Sequence, residues 1–436
     1  MYRQLVLYIL ILFWFAVASS ACRIASHQIS YSLSSPVRLA TVNNLDTKVN
    51  YTTIQAAIND QETVDGHTIF VEQGTYYENV VINKSLSLIG EDRYTTIING
   101  NGTGAVIILT SQNVLLSNFT VMNAGFQAPA SGAILLNETT NCVIENVATT
   151  NSDPCGIALM NSSRNKISRS KSFNNTWGLH LVNSNENVIV DNVISENSYG
   201  IGLGGPEGSS NNLVADNLIS DNSKYGIDVF GFNNKFSFNQ ILNNGNGIHL
   251  DMADGNILLD NNVSYNRWIG VELIRSSENN VIIENYIQFN YFGMYLQTGS
   301  GDNTFYHNNL INNTYTIHVF ASFLSNTWHN GHKGNYWSDY NGTDLDGDGI
   351  GDTPYVIDHY NQDDFPLMSP WTPTRYSIPF WFQWWFWLVV ATGIAALIGM
   401  HHICKPYMRK LYKKLSEKRR GKKNNSPGIQ WNDRVD

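Results

Sequence analysis

The chain has 436 residues, a net charge of −9 and only 14% charged residues, where soluble domains usually carry about a quarter. The charge is uneven. Residues 405–436 hold eleven Lys/Arg against three Asp/Glu, or +8, which leaves −17 on the rest, and so acidic a body argues against a nucleic-acid partner.

From the start, Arg3, the apolar run 5–17 and Ala18-Ser19-Ser20-Ala21 form the three parts of a secretory signal peptide over residues 1–21. Cleavage there leaves Cys22 first; a lipid-anchored Cys22 and an uncleaved anchor are the alternatives. Residues 22–50 read as a polar lead-in. Over 51–59, Ile54, Ala57 and Ile58 recur at helical spacing, the pattern of a short helix that caps the open end of a stacked array. Strand-like pieces follow at 67–74, 78–83, 85–90 and 95–99.

From Gly132 one phrase, Gly-apolar-x-apolar, recurs. It stands at Gly156-Ile157-Ala158-Leu159, Gly178-Leu179-His180-Leu181, Gly200-Ile201-Gly202-Leu203 and Gly226-Ile227-Asp228-Val229. It continues at Gly247-Ile248-His249-Leu250, Gly270-Val271-Glu272-Leu273 and Gly293-Met294-Tyr295-Leu296. Thr316 replaces the ninth glycine, so 184 residues cover eight steps, or 23 per step. Asparagines recur at fives between the phrases, from Asn187/Asn192/Asn197 to Asn303/Asn308/Asn313, and earlier at Asn113/Asn118/Asn123 and Asn141/Asn146/Asn151. A period in the twenties with strand-like alternation marks a solenoid. The fold class is therefore all-β: a parallel β-helix of about 23 residues per coil over residues 51–333, with coils about 4.8 Å apart. Asn suits the bends because it tolerates left-handed backbone and its side chains can bond in stacks.

After the array, residues 334–370 form an Asp-rich closing segment and 371–379 a linker. Residues 380–403 read as a transmembrane helix: 380–400 lack a formal charge and open on Trp381, Trp384, Trp385 and Trp387. The basic tail 404–436 then lies in the cytoplasm and the solenoid outside. N-x-Ser/Thr sequons, such as Asn137-Glu-Thr and Asn341-Gly-Thr, agree with that topology. Cys142 and Cys155 are 13 residues apart in a 23-residue coil, which puts them on different sides and makes a disulfide between them the lesser alternative.

Strand side chains alternate, so the x residue points outward. Read down the stack, x is Ala158, His180, Gly202, Asp228, His249, Glu272, Tyr295 and His318, and the next outward column holds Phe230, Asp251, Ile274 and Gln297. Asp228, His249, Asp251 and Glu272 therefore gather within about 10 Å along the axis. Carboxyls about 5–9 Å apart suit acid–base work on a glycosidic bond; a cation site and a plain solvated face are the other readings. His180, His249 and His318 are three coils apart, about 14 Å, too far to share a metal ion. Trp177, Tyr199, Tyr225, Phe292 and Tyr315 precede the glycines, as a self-stacking column or as flat faces for sugar rings. Trp177, His180, Tyr199, Tyr225 and Tyr295 are the candidate glycan contacts. Asp344, Asp346, Asp348, the Ile350 carbonyl and Asp352 follow the spacing of a calcium loop, with Tyr355 where the bidentate Glu belongs and Asp358 as a substitute. The expected cofactor is a structural Ca2+.

The opening Tyr51-Thr-Thr-Ile-Gln-Ala-Ala-Ile-Asn, with Gly74-Thr-Tyr-Tyr-Glu-Asn-Val and Leu86-Ser-Leu-Ile-Gly90-Glu, resembles pectin-lyase-like β-helices. The Asn/Gly repeats and Gly334-Asn-Tyr-Trp-Ser-Asp-Tyr, with the Asp-Gly run after it, resemble the NosD family and its carbohydrate-binding and sugar-hydrolase (CASH) repeats. The resemblance covers about residues 45–370 and implies a right-handed solenoid at the cell surface or in the periplasm. For NosD itself it implies a role in maturing the copper site of a reductase. Alginate epimerases carry Asp-Pro-His-Asp, whereas this chain has Asp153-Pro154-Cys155-Gly156, which puts epimerase chemistry in doubt. The reading is a single-pass membrane protein of the cell surface that binds an extracellular polysaccharide or builds the envelope. A polysaccharide lyase or hydrolase is the first alternative, and an accessory protein in copper-enzyme maturation the second.

Overall fold

A computed structural model describes residues 41–126, 131–297, 299–319 and 324–372. Three long sheets, of thirteen, twelve and eleven strands, take every third strand of the chain in turn, so each coil gives one strand to each sheet. Pairing from coil to coil is parallel, and the solenoid is right-handed. Ile157, Leu179, Ile201, Ile227, Ile248, Val271, Met294 and Ile317 are successive partners in the eleven-stranded sheet. That is 160 residues over seven steps, about 23 per coil. All but Ile317 are 0% exposed. Each such aliphatic side chain contributes about 1.5–3 kcal/mol by leaving water, and the stack of them is the core.

The repeated glycine has a steric cause. A Cβ on Gly226 would come within 2.8 Å of the Gly247 carbonyl, 2.9 Å of Asn244 Nδ2 and 2.9 Å of Ile241 Cγ2. Thr316 is permitted because it lies in the last strand of that sheet, Tyr315–Val319. Its hydroxyl donates instead to Asp339.

The asparagines form three internal ladders. Asn239 shows the unit: its Oδ1 accepts from Asn217 N and Nδ2 at 3.1 and 3.0 Å, and its Nδ2 donates to Asn261 Oδ1 and the Val214 carbonyl, both at 2.9 Å. The side chains bond in stacks as expected, but the left-handed backbone belongs to the residue just before each ladder position in the regular coils, for instance Glu186, Asp191 and Glu196. In the early coils Asn113, Asn118, Asn123, Asn141, Asn146 and Asn151 themselves have positive φ. The early and late fives are therefore two positions, one residue apart. The early ladder positions hold Cys142, Val147 and Ser152, whose N–H groups donate to Asn165, Ser170 and Asn175 of the next coil.

Helix α1 (Ile54–Asn59) buries Ile54, Ala57 and Ile58. The Gln55 amide takes the Val81 N–H at 2.7 Å and gives to its carbonyl at 3.2 Å, which covers the edge of strand Val80–Ile82. The thirteen-stranded sheet starts earlier than the sequence suggests: Val42–Asn44 and Val49–Tyr51 form an antiparallel pair inside the segment read as a lead-in. At the far end, strand Tyr336–Trp337 joins the twelve-stranded sheet. Asn361 accepts from Asn326 N, and buried Asp363 accepts from Asn335 N and Trp337 Nε1, so the closing segment terminates two ladders. Cys142 and Cys155 are buried free thiols. The expected signal peptide, transmembrane helix and basic tail lie outside the described residues. Among the described residues no helix is long and apolar enough to cross a membrane.

Candidate functional site

The outward column falls as the alternation predicts. His180, Gly202, Asp228, His249, Glu272, Tyr295 and His318 are successive register partners in the eleven-stranded sheet. Outward does not mean exposed here, because aromatic rings from the preceding corner lie over the column. Trp177 stacks on His180 at 4.5 Å and on Tyr199 at 4.0 Å, and Tyr225 stacks on His249 at 4.5 Å. The column both self-stacks and covers; it breaks at Asn246 and Ile269 and resumes with Phe292 on Tyr315.

Gly202 opens a cleft in this face. A Cβ there would sit 2.4 Å from Trp177 Cζ3 and 2.9 Å from His180 Cδ2, so glycine is what lets the indole lie flat across the strand. The cleft is about 200 Å³ and is lined by Trp177, His180, Gly202, Asp228 and Phe230, with Gly204 and Gly205 at its rim. The rim exists because this coil is longer: Asn187 to Asn212 is 25 residues, against 22 from Asn165 to Asn187. A volume below the roughly 300–1,000 Å³ of drug-sized sites suits one sugar ring.

Beside the cleft, His249 bridges two carboxylates. Its Nδ1 is 2.7 Å from Asp228 Oδ1 and its Nε2 is 3.8 Å from Glu272 Oε2. Asn246 Nδ2 donates to Glu272 Oε2 at 2.9 Å. Burial raises the Glu272 pKa above the usual carboxylate value, against the opposing pull of His249 and Asn246. Burial likewise holds His180 below the ordinary imidazole value.

The structure thus joins Asp228, His249 and Glu272 and separates Asp251 from them. Asp251 is 2% exposed and is clamped by Arg275, whose Nε donates at 2.5 Å and whose second nitrogen takes the other oxygen. An acid already held by a guanidinium is a structural ion pair, not a free acid or base. Tyr295 is also apart from the cleft, stacked on His318 at 5.1 Å. Asn246, Gly202, Phe230 and Arg275 were missed as site residues. Asn246 was within reach, since it occupies the Trp177/Tyr199/Tyr225 column one coil on.

In the closing segment, ligand oxygens of Asp344, Asp346 and Asp348 lie within 4.8 Å of one another, the span of oxygens on a sphere about 2.4 Å from a calcium ion. Asp352 turns away to Leu345 N and Thr343 Oγ1, at 2.9 and 3.1 Å. Asp358, the suggested substitute, is held by Asn361 Nδ2 and Tyr360 N.

These features define a right-handed parallel β-helix with an aromatic-walled, acidic cleft on one sheet. The chain belongs to the NosD family: the family model described as periplasmic copper-binding protein (NosD) matches residues 59–235, 134–291 and 207–342. A cell surface glycoprotein of Methanothermus fervidus is 31% identical over 330 residues, 70% of this chain and 54% of that protein. The chain thus spans about half the length of that relative. A probable ABC transporter binding protein NosD of Pseudomonas aeruginosa is 43% identical over 63 residues, 14% of each chain. Among solved structures, the A-module of the Azotobacter vinelandii mannuronan C-5 epimerase AlgE4 has a TM-score of 0.52 at 16% identity. The match covers 62% of this chain and 94% of the module, a likeness of fold alone. Copper does not fit the described residues. Their one group of three potential ligands is Asp344/Asp346/Asp348, hard oxygen donors unlike the imidazole and sulfur that copper favours. His180, His249 and His318 stand three coils apart, as the sequence indicates.

Proposed function

We propose that this chain is a cell-surface β-helix that holds an extracellular polysaccharide across the Trp177 cleft, anchored in the membrane by residues 380–403. The observation that carries the reading is Trp177 lying over Gly202, an apolar wall beside polar His180 and Asp228, in a cleft about the size of one sugar ring. The likeness to a cell surface glycoprotein supports the location. The test is electrophoresis through gels containing dissolved polysaccharides: retardation by at least one polymer supports the reading, and none across neutral, acidic and basic polymers removes it.

A second reading, cleavage of the polymer, is favoured by Asp228, His249 and Glu272 in contact, with the Glu272 pKa raised. A raised carboxyl is the state a general acid needs. Release of reducing ends by the chain but not by Asp228→Asn would establish it. The Asp344/Asp346/Asp348 oxygens would hold a structural Ca2+ that braces the closing segment.

A further inference from the structure

We propose that the cleft is selective for a sugar bearing a protonated amine, so that the polysaccharide it takes is one with de-acetylated hexosamine units. The inference rests on the polysaccharide reading and concerns its chemical class. Of the residues lining the cleft, the ionisable ones are Asp228 and His180. Burial disfavours the charged form of His180, so the lining presents a carboxylate and a neutral imidazole. Among the described residues, the ion pair Asp228 makes is with His249. Asp228 shares His249 with Glu272, so one imidazole is divided between two carboxyls and does not fully answer Asp228. Arg275, which reaches the Phe230 ring at 5.6 Å, is clamped on Asp251. Lys224 lies over Tyr199 at 4.6 Å and donates to its hydroxyl at 2.8 Å.

One feature of this cleft favours an ammonium group. Asp228 lines it and is largely buried, and a buried carboxylate makes a charge-assisted hydrogen bond stronger than a neutral one. A uronate or sulfated sugar would bring a further negative charge against Asp228 and Glu272 and be repelled. A neutral sugar would pack against Trp177 and leave Asp228 not fully answered.

The test is calorimetric titration of the full-length chain, at near-neutral pH, with four probes of matched length. These are a glucosamine oligosaccharide, its N-acetylated form, an oligomannuronate and a lysine peptide. The glucosamine oligomer is expected to bind about tenfold tighter than the acetylated one, the worth of one charge-assisted bond. Asp228→Asn is expected to erase that preference. Equal affinity for the two forms in the unmutated chain would overturn the amine selectivity and leave the polysaccharide reading in place, and this comparison holds even where the variant misfolds. Tighter binding of oligomannuronate, or binding of the lysine peptide as tight as that of the amino sugar, would overturn it also. Binding of none of the saccharides would remove the polysaccharide reading itself.

Discussion

Glu272 and His249 face each other across one coil boundary, with Oε2 3.8 Å from Nε2 and the glutamate only 8% exposed. The imidazole favours the ionised acid, yet burial outweighs it and the pKa is raised. A raised folded-state pKa means the native chain holds that proton more tightly than the unfolded chain. The stability this contributes is full below the unfolded pKa and is lost as pH rises through the folded one. Glu272→Gln removes the ionisation. The variant is therefore expected to melt higher than the parent at neutral pH, with the gap closing as pH falls through the glutamate range. A parent that melts higher at neutral pH would show that the ionised pair with His249 stabilises the fold.

The ladders give a sharper stability test. Asn239→Ala strips the acceptor from Asn217 N and Nδ2 and the donor from the Val214 carbonyl, all deep in the stack. Leaving buried polar groups unpaired is expected to cost about 2–4 kcal/mol. Urea unfolding measures it, and a loss below about 0.5 kcal/mol would mean the ladder rearranges or takes up water.

Calcium is tested by its removal. With Asp344, Asp346 and Asp348 as ligands, EDTA is expected to lower the melting temperature, calcium to restore it, and Asp346→Asn to abolish the response. An identical melting curve with and without EDTA would remove the site.

The sequence carries most of this fold because each coil solves the same problem. Gly226 and its equivalents are forced by the approach of the next coil, and the ladder asparagines by buried N–H groups that need an acceptor; both leave a fixed period. What the period hides is offset by one. Asn146 and Asn192 look equivalent in spacing, yet Asn146 is the left-handed residue and Asn192 the ladder rung, because Asn suits both duties. Site contacts were legible where they follow register, as Asp228 beside His249 does. They were not where a long side chain reaches out of register. Arg275 takes Asp251 from 24 residues away, and no column position announces the pairing. The residues that lengthen one coil do show in the spacing of the phrase, 26 residues from Gly200 to Gly226 against 22 from Gly178 to Gly200, but the spacing does not say that they border a cleft.

The most direct test of the account is the affinity of the chain, and of Trp177→Ala, for whichever polysaccharide retards it most. Trp177 is half-buried on the outer face, stacked on His180 and Tyr199 and packed against the small buried cluster of Ala105, Leu135, Cys155 and Ala158. Truncating it gives up part of that packing and removes the apolar wall of the cleft, while the aliphatic core of the stack is left intact. Affinity is expected to fall about five- to tenfold, the loss of an aromatic contact of about 1–1.5 kcal/mol, with the chain still folded and its melting temperature only modestly lower. Full affinity in the Trp177→Ala chain would contradict the account, because the polysaccharide would then lie somewhere other than this cleft.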